Sequence, residues 1–390
     1  MINDHVIKAS SILHPKSGID LSRFSVIACD QFTSQVDYWD RLKQTIGTHP
    51  STFHMIFPEA YLGKVNHSDY IKQINQHIED YLHQGILEDQ GPCMILVERS
   101  TPYTKRRLGL VLAVDLDEYT YELGVHSLIR ATEATILDRI PPRLKVRENA
   151  SIEIPHTLLL IDDPKHQVLE TLYSQRHLYE KVYDFELNEG GGHLRGYKLT
   201  NIGFVKYLLY GLVRKREDNL LFIVGDGNHS LATAKAHWDK IKVGLSEAEQ
   251  FDHPAKYALV EVENLYDEGL TFEPIHRIVF HYKDDFYPGL QAILGGETHS
   301  FIYTNDLGQV FINLPKSTPE AYALIQRYLD DYAKRYSDVE IDYIHGADDL
   351  IEIAKARNGF AIVMPALSKK DLFDYIGSDQ IGRASCRERV

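Results

Sequence analysis

The stretch FIVGDGNHSLATAKAHW (222–238) is the best guide to the fold, because it joins an apolar run, a glycine loop and a helix-forming run. With the two leucines before it, LLFIV (220–224) has the length of a buried strand. Gly225 and Gly227 allow backbone angles that other residues resist. From Ser230 onward, Leu, Ala and Lys favour a helix. The sequence therefore predicts a strand, a tight glycine loop and a helix in direct succession.

A loop between a strand and a helix leaves backbone N–H groups free at the helix start, and such groups bind anions, phosphate above all. Asp226 can hold a metal ion or accept a proton, and His229 can donate to a phosphate oxygen, so both are candidate catalytic residues. We expect the other loop residues to hold the phosphate: Gly225, Gly227, Asn228 and Ser230. The alternative is an ordinary surface turn capped by Asn or Ser.

Composition places the chain among soluble globular proteins of two or three domains, with 390 residues, 44% hydrophobic and 25% charged. The N-terminus lacks a secretion signal and no apolar run reaches membrane-spanning length, so we expect a cytoplasmic protein without membrane partners. A net charge of −14 argues against nucleic acid as a partner but permits a small anionic ligand in a local basic pocket. Cys29 and Cys93 lie far apart and form no CxxC motif, which excludes a Cys-type zinc site.

The final segment, IGRASCRERV (381–390), can be encoded by a common sequencing adapter, and we interpret it as an artefact that replaces the native C-terminus. The remaining pattern mixes helices and strands without strict alternation, which favours an α+β fold with a mixed sheet. We expect a main domain over 1–275 that carries the glycine loop, and a C-terminal α+β subdomain over 276–380. The oligomeric state is not predicted.

Five basic residues lie close together in a chain that is otherwise strongly acidic: Arg130, Arg139, Arg143, Lys145 and Arg147. Pro141 and Pro142 stiffen this segment, and the planar guanidinium fork suits phosphate or carboxylate. We expect Arg139, Arg143 and Arg147 to face the glycine loop, with Glu133 as a second candidate for the catalytic base. A solvated helix with internal ion pairs explains the same charge pattern.

Other polar residues follow apolar runs. Asp30 comes directly after RFSVIAC (23–29), which we expect to be a strand, and it is a candidate ligand-binding residue. LLLIDDP (158–164) is similar to the acidic strand ends that hold Mg²⁺ in nucleotide enzymes, although Asp-Asp-Pro is also an ordinary turn start. His276 and Arg277 would reach the ligand only if their strand bordered the loop. No HExxH, Walker A, G-x-G-x-x-G or G-x-S-x-G motif occurs.

Motifs along nearly the whole chain resemble one family, the uncharacterised prokaryotic proteins with domain of unknown function 1015 (DUF1015). They are CDQFTSQ (29–35), EATILDRIPPRLKVRENA (133–150), LLLIDDP (158–164), GDGNHSLATAKA (225–236), EPIHRIVF (273–280) and IDYIHGADDL (341–350). The glycine loop is similar to the family's DGHHR box, except that Ser230 stands where the common box has Arg. Any phosphate clamp made by that Arg must be absent here or come from another residue.

The same loop more loosely resembles the boxes of ParB, sulfiredoxin and the free serine kinases, which wrap nucleotide phosphates. This resemblance implies a nucleotide-dependent phosphotransferase that uses ATP or ADP with Mg²⁺ and acts on a small hydroxylated metabolite, with serine or phosphoserine as a guess. The Ser230 departure keeps a second hypothesis open, a non-catalytic nucleotide or metabolite sensor. A ParB-like DNA-binding role is a third hypothesis, which has no support beyond the loop.

Overall fold

The computed structural model describes residues 5–32, 35–122, 125–132, 140–154, 157–213, 218–270, 274–296, 298–366 and 368–377. Its helices are α1 (Leu21–Phe24), α2 (Val36–Ile46), α3 (His67–His83), α4 (Ile140–Arg147), α5 (Leu169–Ser174), α6 (Ile202–Val213), α7 (Asn228–Lys242), α8 (Glu247–Phe251), α9 (Phe286–Ile293), α10 (Thr318–Arg335), α11 (Ala347–Arg357) and α12 (Lys369–Gly377).

The strands that precede the glycine loop or contain its first residues are β1 (Ile7–Lys8), β2 (Ser10–Pro15), β3 (Leu87–Ser100), β4 (Arg107–Asp115), β5 (Tyr119–Thr120), β6 (Ile129–Arg130), β7 (Leu158–Ile161), β8 (Glu180–Glu186), β9 (His193–Leu199) and β10 (Phe222–Asp226). Those after it are β11 (Tyr257–Asn264), β12 (Ile275–Phe280), β13 (Thr298–Thr304), β14 (Gly308–Leu314), β15 (Glu340–His345) and β16 (Phe360–Ile362).

The larger sheet has eleven strands in the described part of the chain. Nine follow the order β5-β6-β10-β7-β11-β4-β3-β9-β8, while β1 pairs with β4 and β2 pairs with β3. Strand β10 runs parallel to β6 and antiparallel to β7, which itself runs parallel to β11. Mixed pairing without regular β–α alternation is the α+β arrangement, so this part of the prediction is confirmed.

The two faces of this sheet differ because side chains alternate along each strand. On one face, residues such as Leu96, Leu110 and Val260 form the main apolar core with α5, α6 and α7. On the other face, their neighbours Val97 and Val111 border a cavity instead. The sheet therefore separates a closed core from a face that remains accessible to a ligand.

The smaller sheet has the order β14-β13-β16-β12-β15, with five strands among the described residues. Helices α9 and α10 cover one of its faces through residues such as Phe286 and Ile325. Helix α11 covers the other face, where Leu350 packs against Ile278. This sheet begins at Ile275, next to the expected boundary, and the two-domain division remains a proposal.

The last described helix returns to the larger sheet. Leu372, Phe373 and Ile376 of α12 pack with Leu160 and Ile223, which belong to β7 and β10. Leu158 and Leu160 are two residues apart in β7, so their side chains lie on the same face of the sheet. Since Leu158 borders the cavity and Leu160 packs with α12, this helix lies on the cavity face of the sheet. The helix that follows the smaller sheet therefore covers part of the larger sheet.

The expected strand over 23–29 does not form. Asp20 instead caps α1, accepting a hydrogen bond from the Ser22 N–H at 3.0 Å. The hydroxyls of Ser51 and Thr52 then donate to the Phe24 carbonyl at 3.2 and 2.8 Å, so that carbonyl is unavailable to a sheet. The following residues run as a loop along the cavity.

Candidate functional site

A cavity of about 700 Å³ lies on the sheet face opposite the main core. Its floor is formed by residues of β3, β4, β7 and β11. Its walls come from four separate segments of the chain: the loop 25–32, the segment 55–59, helix α4, and the loop 187–191. The end of β10 and the start of α7 close one side through Asp226, Ser230 and Thr233. The glycine loop therefore meets residues that lie up to about two hundred positions away in sequence.

The two glycines of the loop have separate physical roles. Gly225 lies at a bulge in the β10–β7 pairing, between the pairs Val224–Leu159 and Asp226–Leu158. A Cβ on Gly225 would lie 2.9 Å from Cγ of Leu160, which leaves no room for a side chain. Gly227 has a φ of 82° and is the N-cap of α7, a left-handed conformation that favours glycine. Bulges redirect the side chains that follow them, and here the next side chain is Asp226, which borders the cavity.

Asp226 is oriented by its own loop. Its Oδ1 accepts a hydrogen bond from the Gly227 N–H at 2.7 Å. Ser230 and Thr233 follow in the first turns of α7 and border the same cavity. The helix begins at Asn228, two residues before the expected start, because Gly227 itself provides the cap.

Asn228 is a structural residue in this protein. Its side chain is buried, accepts from the Thr132 N–H at 3.2 Å and donates to the Thr132 hydroxyl at 3.2 Å. That hydroxyl in turn donates to the Val224 carbonyl at 2.7 Å. Asn228 does not border the cavity, and a contact between this residue and phosphate stays a prediction.

His229 lies in the first turn of α7 but does not border the cavity. Its carbonyl accepts a hydrogen bond from the Thr233 hydroxyl at 2.7 Å. The backbones of Gly225 and Gly227 shape the loop without bordering the cavity. A catalytic role for His229 therefore remains a prediction.

Arg143 and Arg147 both border the cavity from α4, which packs against α7. Arg143 forms an ion pair with Glu59. Arg147 pairs with Glu153 through two contacts, Nη1 to Oε1 at 3.1 Å and Nη2 to Oε2 at 2.9 Å. All four side chains are partly exposed, so an anion that enters the cavity can compete with the two carboxylates.

Asp30 borders the cavity from the loop that replaces the expected strand. Its neighbour Cys29 also borders the cavity, and the Cys29 carbonyl accepts from the Glu59 N–H at 2.8 Å. Loss of hydration raises the pKa of the Cys29 thiol to about 12, with the nearby carboxylates of Asp30 and Glu59 adding to the shift. Cys29 is therefore a neutral thiol at physiological pH and not an activated nucleophile.

Sequence reasoning missed a charged group on the cavity floor. Arg107 contacts Glu261 (Nη2 to Oε1, 3.3 Å) and Glu263 (Nε to Oε1, 2.8 Å), and all three border the cavity. A Cβ on Gly109 would lie 1.9 Å from Oε1 of Glu261, so the glycine leaves space for that carboxylate. The signal in the sequence is YALVEVEN (257–264), where two glutamates alternate with valine in an otherwise apolar strand.

The expected positive potential of the cavity is not matched by its described lining. Four arginines border it, Arg99, Arg107, Arg143 and Arg147, against seven carboxylates, Asp30, Glu59, Glu153, Glu189, Asp226, Glu261 and Glu263. The described lining thus has three more formal negative charges than positive ones. Positive charge is nevertheless concentrated on α4, where Arg143 and Arg147 are one helical turn apart.

His276 and Arg277 do not border the cavity, and the condition set for them, a strand beside the glycine loop, is not met. They lie in β12 of the smaller sheet, where His276 Nδ1 accepts from the Met364 N–H at 3.1 Å. The Arg277 guanidinium lies over the rings of Tyr322 and Tyr343, 5.6 and 4.8 Å from their centroids. Their strand pairs with β15 and β16 rather than with β10, so both residues serve the packing of the smaller sheet.

Three further charged residues of the sequence analysis lie either outside the described residues or away from the cavity. Glu133 and Arg139 lie outside the described residues, and their roles stay predictions. Arg130 is buried and donates to the carbonyls of Ser127, Asp218 and Ile376 at 3.2 Å each. It therefore fixes the path of the backbone rather than contacting the cavity.

The Asp-Asp-Pro segment is a turn, as its composition allows. Asp163 is buried and accepts from the Val168 N–H at 2.8 Å, while Asp162 accepts from the Tyr266 hydroxyl at 3.0 Å. Among the residues that the structure describes, no three Asp, Glu, His or Cys side chains lie together as a metal site. Mg²⁺ therefore stays a prediction, since this ion is often held by one or two carboxylates together with substrate phosphates. Within the same residues, no helix combines the length and apolar character that crossing a membrane requires.

Comparisons with solved structures give only distant similarity. The chain is similar to a free serine kinase in complex with AMP at 11% identity and a TM-score of 0.38, over 71% of this chain and 86% of the kinase. A conserved hypothetical protein from Pyrococcus furiosus has 11% identity and a TM-score of 0.38, over 72% and 90% of the two chains. A mutant free serine kinase in complex with ADP has 10% identity and a TM-score of 0.38, over 71% and 86%. Such low scores decide nothing about what this chain binds.

The comparison with protein families is decisive where the structural one is not. No curated protein matches the chain in sequence. The model of the family described as "Protein of unknown function (DUF1015)" matches residues 13–332, which include the glycine loop, α4 and every described residue of the cavity floor. The chain therefore belongs to the DUF1015 family.

Proposed function

We propose that this protein is a nucleotide-dependent phosphotransferase that acts on a small hydroxylated metabolite bound in the cavity. One observation carries the proposal. Residues from three distant segments border a single cavity, and they supply guanidiniums, carboxylates and a hydroxyl: Asp30, Arg143, Arg147, Asp226 and Ser230. Phosphoryl transfer needs mainly positioning and charge stabilisation, which such a set supplies.

The phosphates would lie between α4 and the start of α7. Arg143 and Arg147 present planar guanidinium forks that match phosphate oxygens. Helix α7 is fifteen residues long and directs the positive end of its dipole toward the same side of the cavity. Ser230 adds a hydroxyl that can donate to a phosphate oxygen.

A nucleotide would have to exchange with carboxylates already present. Glu59 and Glu153 contact the two arginines, and both also border the cavity. Partly exposed ion pairs contribute about 0–1 kcal/mol, so a phosphate group can replace a carboxylate at small cost. The same carboxylates would repel an anion placed anywhere else on this wall, which favours one position for the phosphates.

The chemical step assigns a role to Asp226. Its carboxylate would take the proton of the acceptor hydroxyl as the new oxygen–phosphorus bond forms. The bond between the transferred phosphorus and the bridging oxygen of the nucleotide breaks, and the nucleotide leaves with one phosphate fewer. The hydrogen bond from the Gly227 N–H holds the carboxylate in place during this step. Asp30 is a second carboxylate on the cavity wall that can orient the acceptor.

The direct test is incubation with ATP or ADP and a panel of small hydroxylated acceptors, including serine, with phosphorus NMR as the readout. We expect a new phosphate ester with wild-type protein and none with Asp226→Asn, whose melting temperature should stay close to that of the wild type. Formation of the ester at the same rate by Asp226→Asn would overturn the assigned role. Failure of every nucleotide to bind would overturn the proposal itself.

One observation favours a second function, a sensor that binds a nucleotide or metabolite without turnover. Ser230 borders the cavity at the position where the family's box has Arg, so one expected phosphate contact is missing. A weaker clamp can retain binding while losing transition-state stabilisation. Saturable nucleotide binding without any product in the same panel would support the sensor over the phosphotransferase.

A further inference from the structure

Phe32 combines two properties that rarely occur together. Its φ of 50° lies in the left-handed region, which is unusual for a bulky aromatic residue. It also borders the cavity, next to Gln31 and Asp30. The other non-glycine residues with positive φ in the described ranges are all polar: His166, Glu189, Asn219, His281 and Asn358. Backbone strain of this kind persists where the surrounding structure imposes it, and ligand sites are common locations.

The position of the Phe32 ring is fixed by a buried helix. Phe32 stacks on Tyr38 with ring centroids 4.2 Å apart and an angle of 25° between the planes. Tyr38 is buried in α2 and makes an edge contact with Trp39 at 5.5 Å. Phe32 and Tyr38 both border the cavity, so the stacked pair is a pre-oriented aromatic element of the cavity wall.

The stacked pair and Arg143, at the proposed phosphate position, border the same cavity. The Cys29 carbonyl accepts from the Glu59 N–H, and the Glu59 side chain contacts Arg143. Phe32 is three residues from Cys29, a separation that an extended chain spans in about 10 Å. An anion at Arg143 and a planar ring at Phe32 can therefore belong to one molecule the size of a nucleotide.

We propose that Phe32, stacked on Tyr38, is the platform on which the cavity binds the nucleobase of its nucleotide. The inference rests on the proposed function, because it assigns the base end of the same ligand. Stacking uses the face of the base, which all bases share, so Phe32 should recognise the presence of a base more than its identity. Affinity for a phosphate compound without a base should not depend on Phe32.

The experiment compares ADP with inorganic pyrophosphate by calorimetry on three variants. Phe32→Leu removes the aromatic face and keeps an apolar side chain, whereas Phe32→Trp keeps an aromatic face. Phe311→Leu is the matched control, because Phe311 is an exposed ring on β14 that does not border the cavity. Thermal melting verifies that each variant is folded.

We expect Phe32→Leu to weaken ADP binding on the order of tenfold, the loss of one base–aromatic stack. Its pyrophosphate affinity should stay unchanged, and Phe32→Trp should bind ADP as well as the wild type. Equal loss for ADP and pyrophosphate, or no loss for ADP, would overturn the platform while leaving nucleotide binding intact. Binding of pyrophosphate but not of any nucleotide to the wild type would overturn both this inference and the proposed function.

Discussion

Asn228 and Thr132 hold each other through two hydrogen bonds, although ninety-six positions separate them in sequence. Each residue uses both a donor and an acceptor, and the Thr132 hydroxyl extends the contact to the Val224 carbonyl. The pair joins the glycine loop to the chain that follows β6. The geometry of the loop therefore depends on a buried contact that does not itself touch the cavity.

Asn228→Asp should lower the free energy of unfolding by about 1–3 kcal/mol, the cost of leaving buried polar groups without suitable partners. The substitution keeps the shape but replaces the amide donor with an acceptor that faces the Thr132 hydroxyl. Urea unfolding measures the change. Asn66→Asp is the control, since Asn66 is an exposed N-cap of α3, where Asp caps equally well. Equal stability of the two variants would contradict the structural role of Asn228.

Glu153→Gln should tighten ADP binding several-fold, because it removes the carboxylate that occupies the Arg147 guanidinium. A charge-assisted contact to phosphate is roughly twice as strong as a neutral hydrogen bond, so the freed guanidinium favours the ligand. Calorimetry gives the affinity. Glu148→Gln is a matched control, because Glu148 pairs with Lys240 and does not border the cavity. Weaker binding in Glu153→Gln would show that the ligand contacts the Glu153 carboxylate and not the Arg147 guanidinium.

The β8–β9 hairpin should show a pH-dependent stability. Hydrogen bonds to the carboxylates of Glu186 and Asp184 raise the pKa of His193 above its ordinary 6.5. Contacts with Lys181 and then His193 lower the pKa of Asp184 to about 2, from 3.8. A group whose pKa is raised by folding stabilises the folded state at pH values below its ordinary pKa. This stabilisation is lost as the pH rises through the pKa of the folded state. Because the pKa of Asp184 is lowered, its contacts stabilise the folded state above pH 3.8. This stabilisation is lost as the pH falls toward 2.

The stability difference between wild type and His193→Gln should therefore be largest between about pH 4 and 6.5 and should shrink on either side. Urea unfolding across this range provides the measurement. His299→Gln is the control, since the His299 ring contacts the neutral side-chain oxygen of Asn313 at 2.8 Å. A difference that grows above the ordinary His pKa would have the wrong sign for this cluster.

Cys29 should resist thiol reagents at neutral pH, because the pKa of its thiol is raised to about 12 by loss of hydration and by Asp30 and Glu59. Burial also raises the pKa of Cys93. In a Cys386→Ser background, we expect negligible maleimide labelling of the native protein and labelling of both remaining cysteines in urea. Rapid stoichiometric labelling of native Cys29 would instead indicate a thiolate in the cavity wall.

Local sequence signals predicted the glycine loop well. An apolar run, two glycines and helix formers specify a strand, a turn and a helix by short-range physics, and these appear as β10, the loop and α7. The family resemblance is also confirmed. The presence of Arg143 and Arg147 in the same cavity as Asp226 depends on the packing of α4 against α7, which a charge pattern in the sequence does not predict.

The misses share a physical cause. His276 and Arg277 became candidates through the family resemblance, but within the smaller sheet His276 bonds to the Met364 N–H and Arg277 lies over Tyr343. Glu261 and Glu263 looked like ordinary strand residues, because alternation with valine is typical of a sheet with one wet face. A polar sheet face can be exposed to water or can form the floor of a ligand cavity. The segments that cover the face decide between the two, and here those segments lie far away in sequence.

Calorimetric titration of ADP into wild type, Arg147→Gln and Arg106→Gln tests the central claim, that the cavity binds a nucleotide through the guanidiniums of α4. Arg106 is the matched control, because it pairs with Glu170 at 2.6 Å and does not border the cavity. We expect saturable 1:1 binding to the wild type and to Arg106→Gln. Arg147→Gln should bind on the order of tenfold more weakly, the loss of one hydrogen bond from a charged group. If ADP did not bind the wild type, and ATP and AMP titrated in the same way did not bind it either, the account would be contradicted; equal ADP affinities in all three proteins would also contradict it.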